Sequence, residues 1–150
     1  MRKLSNISDV SKNPKAVTIG NFDGIHKGHQ ALINKTKEIS TKNNVESLIF
    51  TFNKLPKEIF SPNTVQRLYD NKIKESILSS YKIDTLLSID FNEIKDYSAD
   101  FFCEEILIKR LNAKYLIIGE NFKFGKDRSG DIEKLRKYDS KNAFELIVPE

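Results

Sequence analysis

Short apolar runs alternate with longer amphipathic stretches along most of the chain. Five runs have the length and the β-branched or aromatic content of buried strands, and they lie at residues 16–19, 46–52, 84–89, 114–119 and 144–149. Strands that alternate with helix-length segments are typical of parallel βαβ units with right-handed crossovers. The pattern therefore predicts an α/β protein, a three-layer α/β/α domain around a five-stranded, mainly parallel sheet.

Apolar residues three and four positions apart predict helices between these strands. The first helix runs from Lys27 to about Thr41, the second is capped by Thr64, the third is capped by Ser98, and the fourth covers 131–138. Their predicted apolar faces are Leu32, Ile33, Thr36 and Ile39 in the first, Val65, Tyr69, Ile73, Ile77 and Tyr81 in the second, and Ala99, Phe102, Cys103, Ile106 and Leu107 in the third.

Three segments with the composition of loops separate the predicted strands and helices. Segment 53–63 contains Pro56 and Pro62, whereas segments 20–30 and 119–130 are rich in glycine and each directly follows a predicted strand. In open parallel sheets, ligands bind beyond the carboxyl ends of the strands, where the strand order reverses. We therefore expect the two glycine-containing loops to meet at one edge of the sheet.

The segment 20–30, GNFDGIHKGHQ, contains both histidines of the chain and three of its six glycines. His26 and His29 are three residues apart, so they lie on one face of the helix that begins here. The free N–H groups and partial positive charge of a helix N-terminus suit a phosphate. Gly20 and Gly24 are expected to adopt backbone conformations closed to other residues, and Gly28 to leave the histidine face uncrowded.

Three interpretations of this histidine pair are open. The two side chains could cap a tight turn at the surface, or they could share a zinc ion, although a third ligand is not evident. They could also point together at one anion, each donating a ring N–H. The presence of both histidines at a glycine-flanked helix start favours the anion site.

Composition narrows the class of protein. The chain has 150 residues, of which 39% are hydrophobic and 31% charged, which is typical of a folded globular domain. The net charge of +4 is dispersed, which indicates a solvated lysine-rich surface; an anionic small ligand is the next interpretation, and nucleic acid the least favoured. Cys103 has no partner for a disulfide and is expected in the core. Without a signal peptide or a membrane-length apolar run, the expected location is the cytoplasm.

The motifs of the chain carry a family resemblance. FDGIHKGHQ resembles the histidine motif of the nucleotidylyltransferase superfamily, and specifically that of the adenylyltransferase domain of bacterial bifunctional riboflavin kinase/FMN adenylyltransferases, the prokaryotic FAD synthetases. QRLYDNKIK is similar to the Arg-Leu…Lys helix of that family, and IIGENFKFGKDRSGD is similar to its Gly-x-Asn/Asp-Phe-x-Phe-Gly…Gly-Asp loop. The resemblance extends over about residues 15–149.

Two departures from the family pattern stand out. TFNKLPKEIF occupies the place of a Thr-Phe-x-Pro-His-Pro segment, and its Lys54, Leu55 and Pro56 provide no third histidine. The family also has a Ser-Ser-Thr…Arg motif after the fifth strand and then a riboflavin kinase domain, and the sequence reaches Glu150 before either. Residues 1–150 are thus expected to form one FMN adenylyltransferase-like domain, truncated relative to the family.

The resemblance implies transfer of AMP from ATP to FMN, giving FAD and pyrophosphate, with Mg²⁺ screening the phosphates. It implies that the histidines act at the α-phosphate, and it assigns no metal ligand. The implied site residues are His26 and His29 for catalysis, Gly20, Asn21, Phe22, Asp23 and Gly28 for ATP, Asn121, Phe122 and Phe124 for the flavin, and Arg128 for a phosphate.

Other interpretations of these residues and of the chain remain open. Asp23 could instead bond its own turn, one phenylalanine of the second loop is expected to pack inward, and Arg67 and Lys72 are interpreted as structural or exposed helix residues. The alternatives to FMN adenylyl transfer are another nucleotidylyltransferase, or a nucleotide- or flavin-binding fragment that is inactive without the C-terminal motif. No membrane or nucleic-acid partner is expected.

Overall fold

A computed structural model describes residues 1–54 and 64–149 of the chain, with the backbone alone for residues 54 and 64–70. The predicted loop around Pro56 and Pro62 lies outside the described residues, as does Leu55. The predicted cap at Thr64 and the side chains of Val65 and Tyr69 are likewise not described.

Within the described ranges the strands form one parallel sheet. Its strands are β1 (Arg2–Leu4), β2 (Lys15–Ile19), β3 (Glu46–Lys54), β4 (Thr85–Asp90), β5 (Ala113–Ile117) and β6 (Glu145–Ile147). They lie in the order β1-β4-β3-β2-β5-β6, and every neighbouring pair is parallel. The five predicted strands are all present, and the predicted total was short by one. The missed strand is β1, whose three residues are mostly polar and exposed, so that no apolar run marks it.

Helices cover both faces of the sheet. They are α1 (Lys27–Asn43), α2 (Thr64–Ser79), α3 (Ala99–Phe101), which continues as a π-helix over Phe102–Arg110, and α4 (Ile132–Ser140). The predicted cap of α3 is confirmed, because Ser98 Oγ accepts a hydrogen bond from Phe101 N at 3.0 Å. Asp131 caps α4 in the same way, through Lys134 N at 3.0 Å.

The predicted three-layer architecture is confirmed by the packing. The layer of α1 and α2 contributes Ile33, Ile39 and Leu78 to one face of the sheet, and the layer of the π-helix and α4 contributes Phe102, Cys103, Leu107 and Leu135 to the other. Cys103 is a core residue as expected, and burial raises the pKa of its thiol to about 12.

The predicted apolar face of α2 is wrong in register. Ile73 and Ile77 are 43% and 42% exposed, whereas Asn71, Lys74 and Leu78 are buried. The buried polar atoms have partners at the end of β3: Asn71 Nδ2 donates to the carbonyl of Asn53 at 2.6 Å, and Lys74 Nζ donates to that of Phe52 at 3.0 Å. Because backbone carbonyls accept from both side chains, α2 can bury the face that carries Asn71 and Lys74. The apolar pattern had indicated the adjacent face, which carries Ile73 and Ile77.

Strand order reverses at β2. The chain proceeds from β2 to β3 and β4 on one side, and then crosses back to place β5 on the other side of β2. The loops after β2 and β5 are those predicted to meet, 20–30 and 119–130. They lie at the reversal, the place where α/β sheets bind ligands.

A buried lysine ties the N-terminal segment to the sheet. Lys15 Nζ donates to the carbonyls of Ser11, of Asn13 at 2.7 Å and of Leu111 at 3.0 Å. Burial lowers the pKa of Lys15, and the nearby Glu46 carboxylate opposes that effect. One ammonium thus joins two carbonyls of the segment just before β2 to the carbonyl of Leu111, which is distant in sequence.

Replacement of Lys15 by Met keeps the apolar stem and removes the donor from these carbonyls. We expect Lys15→Met to lower the free energy of unfolding by about 1–3 kcal/mol, the cost of buried groups left unpaired. Urea denaturation measures the change, and Lys12→Met, at an exposed position nearby, is the matched control. A Lys15→Met protein as stable as the control would contradict this role.

Candidate functional site

Two adjoining cavities open where β2 and β5 end. The histidine cavity has a volume of about 800 Å³, and its wall includes His26, Gly28, His29, Leu32, Glu120 and Pro149. The aromatic cavity has a volume of about 390 Å³, and its wall includes Phe52, Phe91, Phe102, Phe122, Phe124 and Lys95. Ile19, Gly20, Asn121 and Phe122 line both. The shared lining residues place the two cavities side by side.

His26 is the N-cap of α1. Its Nδ1 accepts hydrogen bonds from Gly28 N at 3.1 Å and from His29 N at 3.4 Å. Because Nδ1 is an acceptor, the neutral ring carries its proton on Nε2. The capping interpretation therefore holds for His26, and the ring still has one N–H, at Nε2, to offer a ligand.

His29 lies against His26 and the loop before it. Its ring stacks on that of His26, with centroids 3.6 Å apart and planes 23° apart, and meets the Phe22 ring edge-on at 5.3 Å. Burial and the neighbouring His26 lower the pKa of His29, and Asp23 opposes them. Its Nδ1 is buried and has no hydrogen-bond partner within the described residues. The geometry thus presents two stacked imidazoles, the second with a depressed pKa, on one cavity wall.

The His26 ring leaves little room for a side chain at residue 28. A Cβ at residue 28 would lie 3.0 Å from Cε1 and 3.2 Å from Nδ1 of His26. The expectation that Gly28 leaves the histidine face uncrowded is confirmed, and the group it accommodates is the capping imidazole.

The loop before α1 is strained at residues that carry side chains. Gly24 has φ +71°, as expected, but Gly20 is not in the left-handed region, and a Cβ there would make ordinary contact with Phe22 at 3.4 Å. The expected special backbone conformation of Gly20 is therefore wrong, whereas close approach of a ligand to Gly20 stays a prediction. Phe22 and Ile25 adopt positive φ instead, at 53° and 34°, and both side chains are buried. Backbone strain of this kind persists where the surroundings over-determine it, and it clusters at functional sites.

The residues assigned to ATP by resemblance do not all meet in one place. Gly20, Phe22 and Gly28 line the histidine cavity with both histidines, whereas Asn21 lines the aromatic cavity. Asp23 lines a third cavity of about 300 Å³ beside α2, where its Oδ1 lies 3.7 Å from Lys74 Nζ. The structure brings three of the five together and separates the other two.

The second loop closes on itself over the aromatic cavity. Phe124 N donates to the carbonyl of Gly130 at 3.1 Å, and Gly130 N donates to that of Phe124 at 2.8 Å. Phe124 is buried in the core and Phe122 is half-buried, with ring centroids 5.6 Å apart, so the expected inward-packing phenylalanine is Phe124. Asn121 is exposed on the shared wall, and the exposed Arg128 lines the aromatic cavity.

The sequence analysis missed part of the wall of the aromatic cavity, notably Phe52, Phe91, Lys95 and Phe102. Phe52 and Phe91 lie at the carboxyl ends of β3 and β4, so the rule that directs attention to strand ends would have found them. Phe102 belongs to an apolar helical stripe, and its sequence context indicates only a core residue.

The described ranges contain no group of three or more His, Cys, Asp or Glu side chains that could hold a metal ion. Within the same ranges, every helix is too short or too polar to span a bilayer.

Curated proteins similar to this chain belong to the family that its motifs resemble. The family described as FAD synthetase matches residues 8–150. Bifunctional riboflavin kinase/FMN adenylyltransferases of Buchnera aphidicola subsp. Schizaphis graminum and Escherichia coli K12 are 38% and 31% identical over 98% and 97% of the chain. Each match covers 47% of the relative, so the chain spans about half the length of the curated relatives it matches.

Solved structures also share the architecture. A Streptococcus pneumoniae protein described as a macrolide-efflux protein superimposes with a TM-score of 0.72 at 28% identity, over 99% of this chain and 50% of that one. The pantothenate synthetase of Thermus thermophilus matches over 99% of this chain and 60% of its own, with a TM-score of 0.57 at 15% identity, a likeness of fold alone.

The family match extends over nearly the whole described sheet and contains both histidines and the second loop. The chain belongs to the FAD synthetase family.

Proposed function

We propose that residues 1–150 are the FMN adenylyltransferase domain of an FAD synthetase, which transfers AMP from ATP to FMN and releases pyrophosphate. The observation that carries the proposal is the juxtaposition of the histidine cavity and the aromatic cavity across one shared wall. The relatives described as bifunctional support it, and in such a protein the riboflavin kinase domain would follow this one.

The histidine cavity suits the phosphates of ATP. The His26 Nε2–H and the start of α1 supply donors and a partial positive charge, and Gly20, Phe22 and Gly28 form the surrounding wall. With its depressed pKa, His29 is neutral at pH 7, so it would serve as a dipolar donor rather than as a fixed cation. Asn21 and Asp23, assigned to ATP by resemblance, would act from the neighbouring walls.

The aromatic cavity suits the isoalloxazine ring of FMN. Phe122 provides an accessible aromatic face, the buried Phe52 and Phe102 back the cavity, and the Asn121 amide can bond the polar edge of a flavin. Arg128 lines this cavity and not the other, so any phosphate it contacts would be that of FMN.

The chemistry then requires alignment of two anions. An oxygen of the FMN phosphate attacks the α-phosphorus of ATP, a P–O bond forms, and the bond from the α-phosphorus to the bridging oxygen breaks as pyrophosphate leaves. The nucleophile is already an anion, so no strong base is needed, and the histidine donors stabilise the charge on the α-phosphate. Among the residues that line the histidine cavity, Glu120 carries a carboxylate. It would help to hold a Mg²⁺ ion, and that ion would screen the charge of the phosphates.

Two rival functions differ from this proposal in what the domain would bind and in whether it would turn over. A transferase for another phosphate substrate would share the histidines, but would have no need of the aromatic cavity. A binding fragment would retain both ligands without turnover. Separate calorimetric titrations with ATP and FMN, followed by an FAD assay, distinguish the three. The cytoplasmic location stays a prediction.

Removal of either imidazole tests the anion site. His29→Ala and His26→Ala in the full-length protein should each lower kcat by about 10²–10³-fold, the effect of losing one donor to a developing oxyanion, while FMN binding changes little. FAD formation is followed by chromatography. Asn34→Ala, at an exposed position on the same helix, is the matched control. FAD formation near the wild-type rate in both histidine variants would refute the site.

Gly28→Ala separates helix propensity from ring placement. Alanine favours a helix by about 1 kcal/mol over glycine, yet here its Cβ would displace the capping His26 ring. We expect slower FAD formation without the gain in stability that the propensity alone predicts. Thermal denaturation and turnover are measured together; a more stable protein with unchanged turnover would show that the His26 ring is not held as described.

Asn121→Ala tests the flavin assignment. The substitution should weaken FMN binding by about 1–3 kcal/mol, the cost of losing a hydrogen bond that the bound flavin would bury, with little change in ATP binding. Flavin fluorescence titration gives the FMN affinity, and a parallel ATP titration is the control. Loss of ATP affinity with FMN affinity preserved would reverse the assignment of the two cavities.

A further inference from the structure

Lys74 is a buried ammonium beneath the loop that precedes α1. It lies on α2 and is 6% exposed, and its Nζ donates to the carbonyls of Asn21 and Phe52, each at 3.0 Å. The same atom lies 3.4 Å from Thr51 Oγ1 and 3.7 Å from Asp23 Oδ1. A fully buried lysine is rare unless it is paired, so these partners account for its position.

The contacts of Lys74 fall on both sides of a strained residue. The Asn21 carbonyl accepts from Lys74 Nζ and also from the Thr51 hydroxyl at 3.0 Å, which turns the peptide between Asn21 and Phe22 towards α2 and β3. Asp23, the residue after Phe22, forms the ion pair. Phe22 has φ 53°, a left-handed backbone conformation that persists only where the surrounding structure supports it.

The strained residue is in contact with the imidazoles. The Phe22 side chain is fully buried, and its ring meets that of His29, which stacks on that of His26. A continuous set of contacts therefore joins Lys74 to both histidines through Asn21, Asp23 and Phe22. Donors to a reacting phosphate need placement within about 0.5 Å, so the orientation of Phe22 matters to the reaction.

We propose that Lys74 is a positioning residue for the transfer reaction: it holds the backbone on either side of Phe22 and thereby sets the orientation of His29 and His26. This inference rests on the proposed function. Lys74 lines the third cavity, beside Asp23 and Asn71, and neither cavity assigned to a substrate, so we expect its loss to lower kcat far more than it weakens the binding of ATP or FMN.

The structure distinguishes Lys74 from its neighbour Lys72. Lys72 is exposed on the same helix, in agreement with the interpretation of that residue as surface, whereas Lys74 is buried. Lys72→Met is therefore a matched control for Lys74→Met, with the same change in charge at a site that does not contact the loop.

The first test compares these two variants in the full-length protein. Lys74→Met should lower kcat for FAD formation by about 10²-fold, the usual effect of displacing a catalytic group by about 1 Å, with little change in the dissociation constants of ATP and FMN. Lys72→Met should behave as wild type. A folded Lys74→Met protein with wild-type kcat, or an equal loss in Lys72→Met, overturns the proposal.

Chemical restoration of the ammonium separates positioning from packing. In Lys74→Cys, the thiolate can displace bromide from bromoethylamine, which forms a C–S bond and yields an ammonium at lysine length. Because residue 74 is buried as Cys103 is, the alkylation is carried out in urea on a Cys103→Ala background, and the protein is refolded before the assay, with Cys103→Ala alone as the control. We expect aminoethylation to recover kcat and alkylation by neutral iodoacetamide not to recover it.

The remaining outcomes are also decisive. Thermal denaturation is followed in every variant, and an ammonium that restores the melting temperature but not kcat assigns Lys74 to stability alone and overturns the proposal. Failure of the proposed function shows separately, because the wild-type protein would then neither bind FMN nor form FAD.

Discussion

The first turn of α1 needs a hydrogen-bond acceptor, and the side chain that supplies it is an imidazole. A capping Asp would satisfy the same N–H groups but only as an acceptor, whereas the imidazole accepts at Nδ1 and keeps an N–H donor at Nε2, on the far side of the ring. Once His26 Nδ1 accepts from Gly28 N and His29 N, three consequences follow. The neutral ring has its proton on Nε2, a Cβ at residue 28 would crowd the ring at 3.0 Å, and the His29 ring stacks on it with centroids 3.6 Å apart. The hydrogen bonds that cap α1 thus also arrange the histidine side of the cavity.

The architecture could be predicted from the sequence because its cause is local. Apolar runs identify β2 to β6, glycine marks the loops after β2 and β5, and the rule of strand reversal brings those loops together. The features that could not be predicted depend on partners distant in sequence, which a local pattern does not reveal. The burial of Asn71 and Lys74 depends on carbonyls at the end of β3, and the stripe of Ile73 and Ile77 indicated a different face. The three-residue β1 is held by pairing with β4 rather than by its own hydrophobicity.

The same distinction applies to the candidate site. Motifs located His26, His29 and the second loop, and they predicted that one phenylalanine would pack inward. They did not separate Asn21 and Asp23 from the histidine cavity, because adjacent residues in a strained loop point in different directions. Nor did they identify Lys74. The loop 20–26 is thus held at one end by the capping contact of His26 with α1 and from the side of α2 by the buried Lys74 ammonium.

The central claim is that the His26 Nε2–H faces the phosphates of ATP while Nδ1 caps α1. Nitrogen NMR of the histidine side chains at neutral pH tests it most directly, because the two ring nitrogens and their protonation are resolved separately. The account predicts an unprotonated Nδ1 and a protonated Nε2 for His26, with the Nε2 resonance shifting when ATP is added and remaining in place when FMN is added alone. A proton on Nδ1 of His26, or a shift caused by FMN and not by ATP, would contradict the account.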